Sequence, residues 1–164
     1  MYDTRHGHIS GNVMSGRSRN FAEMSKYAGD VSVSDAWNTL KNNIQAVLVD
    51  VRTQVEWQLI GVPDLSSIGK EPICLEWMTA EGKNPEFIDQ LVAEFERQDI
   101  STDAPLLFMC RSGGRSQMAA IECMGRGYSQ CFNIVKGYEG DLDSNKHRNS
   151  LNGWRYEELP WVQN

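Results

Sequence analysis

A single cysteine leads two arginines, two serines and two glycines in Cys110-Arg111-Ser112-Gly113-Gly114-Arg115-Ser116. The thiolate is the nucleophilic form of cysteine, and it is favoured beside arginines and at a helix N-terminus. Glycines reach positive φ without steric cost, so successive backbone N–H groups can curl into an anion-binding nest. Guanidinium forks suit the paired oxygens of a small oxyanion, and serine hydroxyls add further donors. The stretch therefore predicts Cys110 as a nucleophile beneath a cradle made by Arg111, Ser112, Gly113, Gly114, Arg115 and Ser116. Each residue also has a blander role. Cys110 could be an inert core thiol, Arg111 could face solvent, Arg115 could pair with a structural carboxylate, and Ser116 could only cap a helix. The first of these would need neither the arginines nor the Gly-Gly turn.

Such a loop must be positioned by its neighbours. Leu106–Met109 is a short apolar run that ends at the cysteine, and Gln117-Met118-Ala119-Ala120-Ile121 follows as a helix former. Together they read as a buried parallel strand, a tight turn and a helix whose N-terminal amides face the loop. Ala46–Val51, Pro72–Trp77 and Phe132–Val135 are further apolar, strand-like segments. Between them, Ser32-Val33-Ser34-Asp35 and Thr53-Gln54-Val55-Glu56 read as helix-capping boxes. Val33, Ala36, Trp37, Leu40 and Ile44 recur at helical spacing after the first. Asn84-Pro85 opens a third helix with the stripe Phe87, Ile88, Leu91, Val92 and Phe95. Strands alternating with helices predict a parallel sheet covered on both faces, with ligands bound beyond the carboxyl ends of the strands. Asp50-Val51-Arg52, Glu76-Trp77 and Cys110 fall at such ends.

Three stretches in this order resemble the rhodanese family of sulfurtransferases: Val47-Leu48-Val49-Asp50-Val51-Arg52 with Glu56-Trp57, the Cys110–Ser116 loop, and Gly137-Tyr138-Glu139-Gly140 with Asn152-Gly153-Trp154-Arg155 and Leu159-Pro160-Trp161. They span nearly the whole chain beyond its first residues. The resemblance implies an α/β three-layer fold, a central parallel sheet of about five strands with helices on both faces. It also implies a thiosulfate sulfurtransferase working through a persulfide on Cys110, with no cofactor and no metal. Asp50 and Arg52 are expected to brace the loop. One departure is Gly61-Val62-Pro63-Asp64-Leu65-Ser66, which lacks the histidine usual in the family's corresponding turn. Four residues separate Cys110 from Arg115. By resemblance, that ring suits a cysteine-bound sulfur, whereas the related phosphatases and arsenate reductases carry five. A phosphatase or arsenate reductase remains the alternative enzyme. A rhodanese-like sulfur carrier or partner-binding module without turnover is the alternative from another class.

The composition bounds these readings. At 164 residues the chain fits one domain. A formal net charge of −6 argues against a nucleic-acid or anionic-membrane surface. No run approaches the ~20 apolar residues of a membrane span. With no apolar signal segment, the expected location is the cytoplasm. The expected partners are a small anionic sulfur donor and a nucleophilic sulfur acceptor, which could be a protein. Residues 1–26 read as a disordered leader and 27–164 as the domain, with His6 and His8 as solvated tail residues. The other cysteines, Cys74, Cys123 and Cys131, read as small core residues. The polar 141–152 segment only faintly matches a calcium loop: Lys146 stands where glycine is required and Asn152 where glutamate is required. It is expected to flank the mouth of the site.

Overall fold

The computed structural model describes residues 26–164. The expected 1–26 leader, with His6 and His8, lies outside the described residues but for Lys26. Leu106–Met109 (β7) is buried along its whole length. It pairs in parallel with Val47–Asp50 (β2) on one side and Cys131–Ile134 (β8) on the other. Gly29–Val31 (β1) pairs with β8 and Ile73–Cys74 (β4) with β2, both in parallel, giving a five-stranded sheet ordered β1-β8-β7-β2-β4. Side chains alternate across it, as the two-residue period of a strand requires. Leu106, Phe108 and Cys110 join one core, and Leu107 and Met109 join the other.

Helices cover both faces. Val33–Asn42 (α1) places Val33, Ala36 and Leu40 in the second core, together with Tyr138 and Trp154. Phe87–Arg97 (α3) and Gly114–Met124 (α4) cover the other face through Phe87, Leu91, Phe95, Ala119, Ala120 and Cys123. Gln54–Ile60 (α2) lies beyond the carboxyl end of β2 and buries no side chain fully. Two sequence signals set its position: Thr53 and Glu56 form a reciprocal capping box, and Gly61 ends the helix. The predicted α/β architecture and its parallel sheet are therefore present.

Several local expectations need correction. Ile44 is 93% exposed, because α1 stops at Asn42 and Asn43 is extended, so the helical stripe no longer applies. Pro72–Trp77 forms a strand only at Ile73–Cys74, on the sheet edge, and Cys74 is exposed rather than a core residue. Cys123 and Cys131 are buried as expected. α3 starts at Phe87, because the Asn84 side chain accepts from the Glu86 N–H at 3.1 Å and closes a turn ahead of the helix. The strand expected at Phe132–Val135 begins one residue earlier. Sequence patterning gave no sign of β1, of the hairpin Met78–Thr79 (β5) with Gly82–Lys83 (β6), or of Val62–Pro63 (β3) paired with Trp161–Val162 (β9). No helix among the described residues is long and apolar enough to cross a membrane.

Candidate active site

At the carboxyl end of β7 the chain turns at Cys110 and enters α4 through Gly113, whose φ of 116° is a conformation glycine adopts without strain. Cys110 is 2% exposed. Its sulfur borders the hydrophobic core and also meets the loop: Sγ accepts from the Gly113 N–H at 3.1 Å, and the Ser116 Oγ lies 3.2 Å away. The first amides of a helix have no intrahelical acceptor. Among the described residues, the N–H groups of Arg111, Ser112, Gly114, Arg115 and Ser116 enter no backbone hydrogen bond. They are the donors left for an anion or for an atom attached to Sγ.

A second turn clasps the loop from behind. Tyr138 N–H donates to Cys110 O at 2.9 Å, while Glu139 and Gly140 N–H donate to Arg111 O at 3.0 and 3.2 Å. This approach requires Gly137, where φ is 55° and a Cβ would stand 2.3 Å from Cys110 O. The 141–152 segment packs on this turn through Arg148 to Gly140 O and Asn149 N–H to Glu139 O. Asp143 organises it, accepting from the N–H groups of Asn145 and His147 and from Ser150 Oγ. Ser112, Gly113, Gly114, Gln117, Lys136 and Asp141 line a cavity of about 430 Å³ beside the loop. A larger cleft of about 920 Å³ follows the β4 edge, and no residue of the Cys110–Ser116 loop lines it.

The two arginines of the loop have different surroundings. Arg111 is exposed and its side chain has no hydrogen bond or ion pair among the described residues. Arg115 is half-buried and holds Glu56 of α2 with both ends of its fork, at 2.7 and 3.0 Å. Burial alone would push the Glu56 carboxyl up, but the hydrogen bonds and charge of Arg115 outweigh it and hold Glu56 below the usual carboxylate range. Burial likewise works against the Arg115 charge, and Glu56 more than restores it.

Asp50 and Arg52, both fully buried, form an ion pair at 2.7 Å. Arg52 also donates to Gly61 O at 2.9 Å and lies 4.0 Å from the centre of the Tyr138 ring. Neither side chain bonds the Cys110–Ser116 loop directly. Their path to it runs through Tyr138, whose N–H holds Cys110 O. Glu76-Trp77 stands apart: Trp77 Nε1 donates to Glu122, near the far end of α4.

Four residues near the sulfur had no chemical role in the sequence reading: Glu56, Tyr138, Asp30 and Asn133. Glu56 was legible as half of a capping box and as part of the family-like stretch that begins at Val47, neither of which names its partner. Ser116 Oγ donates to Asn133 Oδ1 at 2.6 Å, and Asn133 Nδ2 donates to Asp30 Oδ1 at 3.2 Å, all within buried structure. The available signal was a polar Asn133 between Phe132 and Ile134, since a buried amide needs partners.

The model of the STR4 middle domain family matches residues 28–164. An uncharacterized protein of Rickettsia conorii is 36% identical over 132 residues, which cover 80% of this chain and 95% of that protein. The chloroplastic rhodanese-like domain-containing protein 4 of Arabidopsis thaliana is 24% identical over 135 residues, 82% of this chain but 26% of that protein. The crystal structure of Rv0390 from M. tuberculosis superposes with a TM-score of 0.75 at 43% identity, covering 84% of this chain and 99% of that one. A cysteine seated in a loop of unpaired amides beyond a parallel strand, within the 28–164 stretch that the family model matches, places this protein in the STR4 middle domain family, with a rhodanese-like domain.

Proposed function

We propose that the protein is a sulfurtransferase that takes the outer sulfur of thiosulfate, or of a similar small anionic donor, onto Cys110. It passes that sulfur to cyanide in vitro and to a thiol, free or on a protein, in the cytoplasm. The Cys110 thiolate attacks the outer sulfur, the bond to the sulfonate sulfur breaks, and its electron pair leaves with sulfite. A persulfide remains on Cys110. The acceptor then attacks the terminal sulfur, and the bonding pair returns to Cys110 as thiolate. No cofactor enters either step.

The observation that carries this reading is the direction of the sulfur. Sγ accepts from the Gly113 N–H of the loop, and the N–H groups of Arg111, Ser112, Gly114, Arg115 and Ser116 around that turn have no backbone acceptor. An atom bonded to Sγ would meet those donors, and one well-aimed donor is worth about 3 kcal/mol to a developing anion. Arg111 is the guanidinium available to the sulfonate. Arg115, already committed to Glu56, positions the loop against α2. Asp50 and Arg52 act through Tyr138. Intact-mass measurement after thiosulfate treatment tests the proposal: one added sulfur is expected, mapping to Cys110. Absence of the adduct, together with release of phosphate from a phosphate monoester, would replace sulfur transfer with phosphatase chemistry.

A further inference from the structure

Ser116 carries one hydroxyl proton and stands between two acceptors, Cys110 Sγ at 3.2 Å and Asn133 Oδ1 at 2.6 Å. The Asn133 amide cannot turn to relieve the conflict, because its Nδ2 donates to the acceptor-only carboxylate of Asp30. Tyr27 OH donates to the same Asp30 oxygen at 2.9 Å. Ser116 is fully buried, and Asp30 and Asn133 are each 3% exposed. A group left without a partner in such surroundings is costly.

We propose that Asn133, oriented by Asp30, is a positioning residue that takes the Ser116 proton and so disfavours the bare Cys110 thiolate relative to both the thiol and the persulfide. In the thiol, S–H donates to Ser116 Oγ and Ser116 donates to Asn133, so every group is satisfied. In the persulfide the charge sits on the outer sulfur beneath the loop amides, and Ser116 can remain with Asn133. Only the bare thiolate leaves two acceptors sharing one proton. The inference rests on Cys110 being the reactive thiol of the proposed function. The other charged groups on or beside the loop are Arg111, Arg115 on α4 paired with Glu56, Asp50 on β2 paired with Arg52, and Lys136 paired with Asp141 in the cavity beside the loop. The substitutions below leave all of them in place.

The test is the pH profile of Cys110 alkylation by iodoacetamide, read by peptide mass spectrometry so that the exposed Cys74 is scored separately. Asn133→Leu frees the Ser116 hydroxyl for the sulfur. The alkylation midpoint is expected to fall by about one pH unit, about tenfold more thiolate below the midpoint. Asp30→Asn lets the Asn133 amide turn its N–H face towards Ser116, and it is expected to shift the midpoint the same way if Asn133→Leu does not fold. On a Ser116→Ala background, where there is no proton to redirect, the Asn133→Leu shift should vanish, and the Asp30→Asn shift should shrink to what loss of the Asp30 charge alone gives. An unchanged or raised midpoint in the folded variants overturns the proposal, and so does a shift that is as large without Ser116 as with it. Because alkylation needs no sulfur donor, a protein inert to thiosulfate that still shows the shifts would defeat the sulfurtransferase reading and leave this one standing.

Discussion

The guanidinium of Arg115 meets both carboxylate oxygens of Glu56, 59 residues earlier in the chain, at 2.7 and 3.0 Å. The contact joins the first turn of α4, just after the nucleophile, to the first turn of α2, where Glu56 also closes the capping box with Thr53. An arginine that sequence alone offers to either the substrate or a structural carboxylate is thus held by a scaffold carboxylate.

Removing either partner strands the other in a half-buried setting. Arg115→Ala and Glu56→Ala should each cost about 1–3 kcal/mol in urea unfolding, and the double variant should cost clearly less than the sum. In thiosulfate kinetics Arg115→Ala should lower kcat through loop disorder more than it raises the KM. A rise in KM alone would return Arg115 to donor docking.

The same pair predicts an acid dependence. Glu56 is depressed in the folded state, so its stabilisation is complete above its ordinary value of 4.5 and is lost as pH falls through its lower folded value. Glu56→Gln should therefore lose less stability than the parent as pH falls below about 4.5. Parallel stability curves for the two proteins in that window would show that Glu56 carries no linkage.

Cys110→Ser keeps the small polar side chain under the Gly113 amide, so the melting temperature should change little. Thiocyanate formation from thiosulfate and cyanide should disappear. Turnover retained by this variant would remove Cys110 from the chemistry.

Gly137→Ala should be among the most damaging single-methyl substitutions, at about 2–4 kcal/mol. Its Cβ would lie 2.3 Å from Cys110 O, at a φ of 55°. Gly114→Ala, with no atom within 4 Å of the added Cβ, is the stability control and should be neutral or gain up to about 1 kcal/mol. Equal effects at the two positions in thermal melts would mean that the clasp on Cys110 is loose.

The central strands and the loop were legible because their signals are local. A wholly apolar Leu106–Met109 run, a Gly-Gly turn and the Thr53–Glu56 box each fit within a few residues. Gly29–Val31 was not legible, since three residues that include glycine and aspartate become a strand only by pairing with β8. The Asp30–Asn133–Ser116 line failed for the same reason: its partners are 103 and 17 residues apart in sequence. Ile44 shows the converse error, a periodic pattern carried past the point where Asn43 leaves the helix.

The sheet order seats the first described strand beside β8, and the clasp on Cys110 comes from residues after β8. During synthesis on a ribosome, the cysteine therefore emerges well before Asn133, Gly137 and Trp154, whose N–H holds Gly137 O. Until those arrive, the sulfur has only its own loop for company. A nascent chain stalled before Asn133 would carry an unclasped thiol, open to whatever oxidant or metal the surroundings supply.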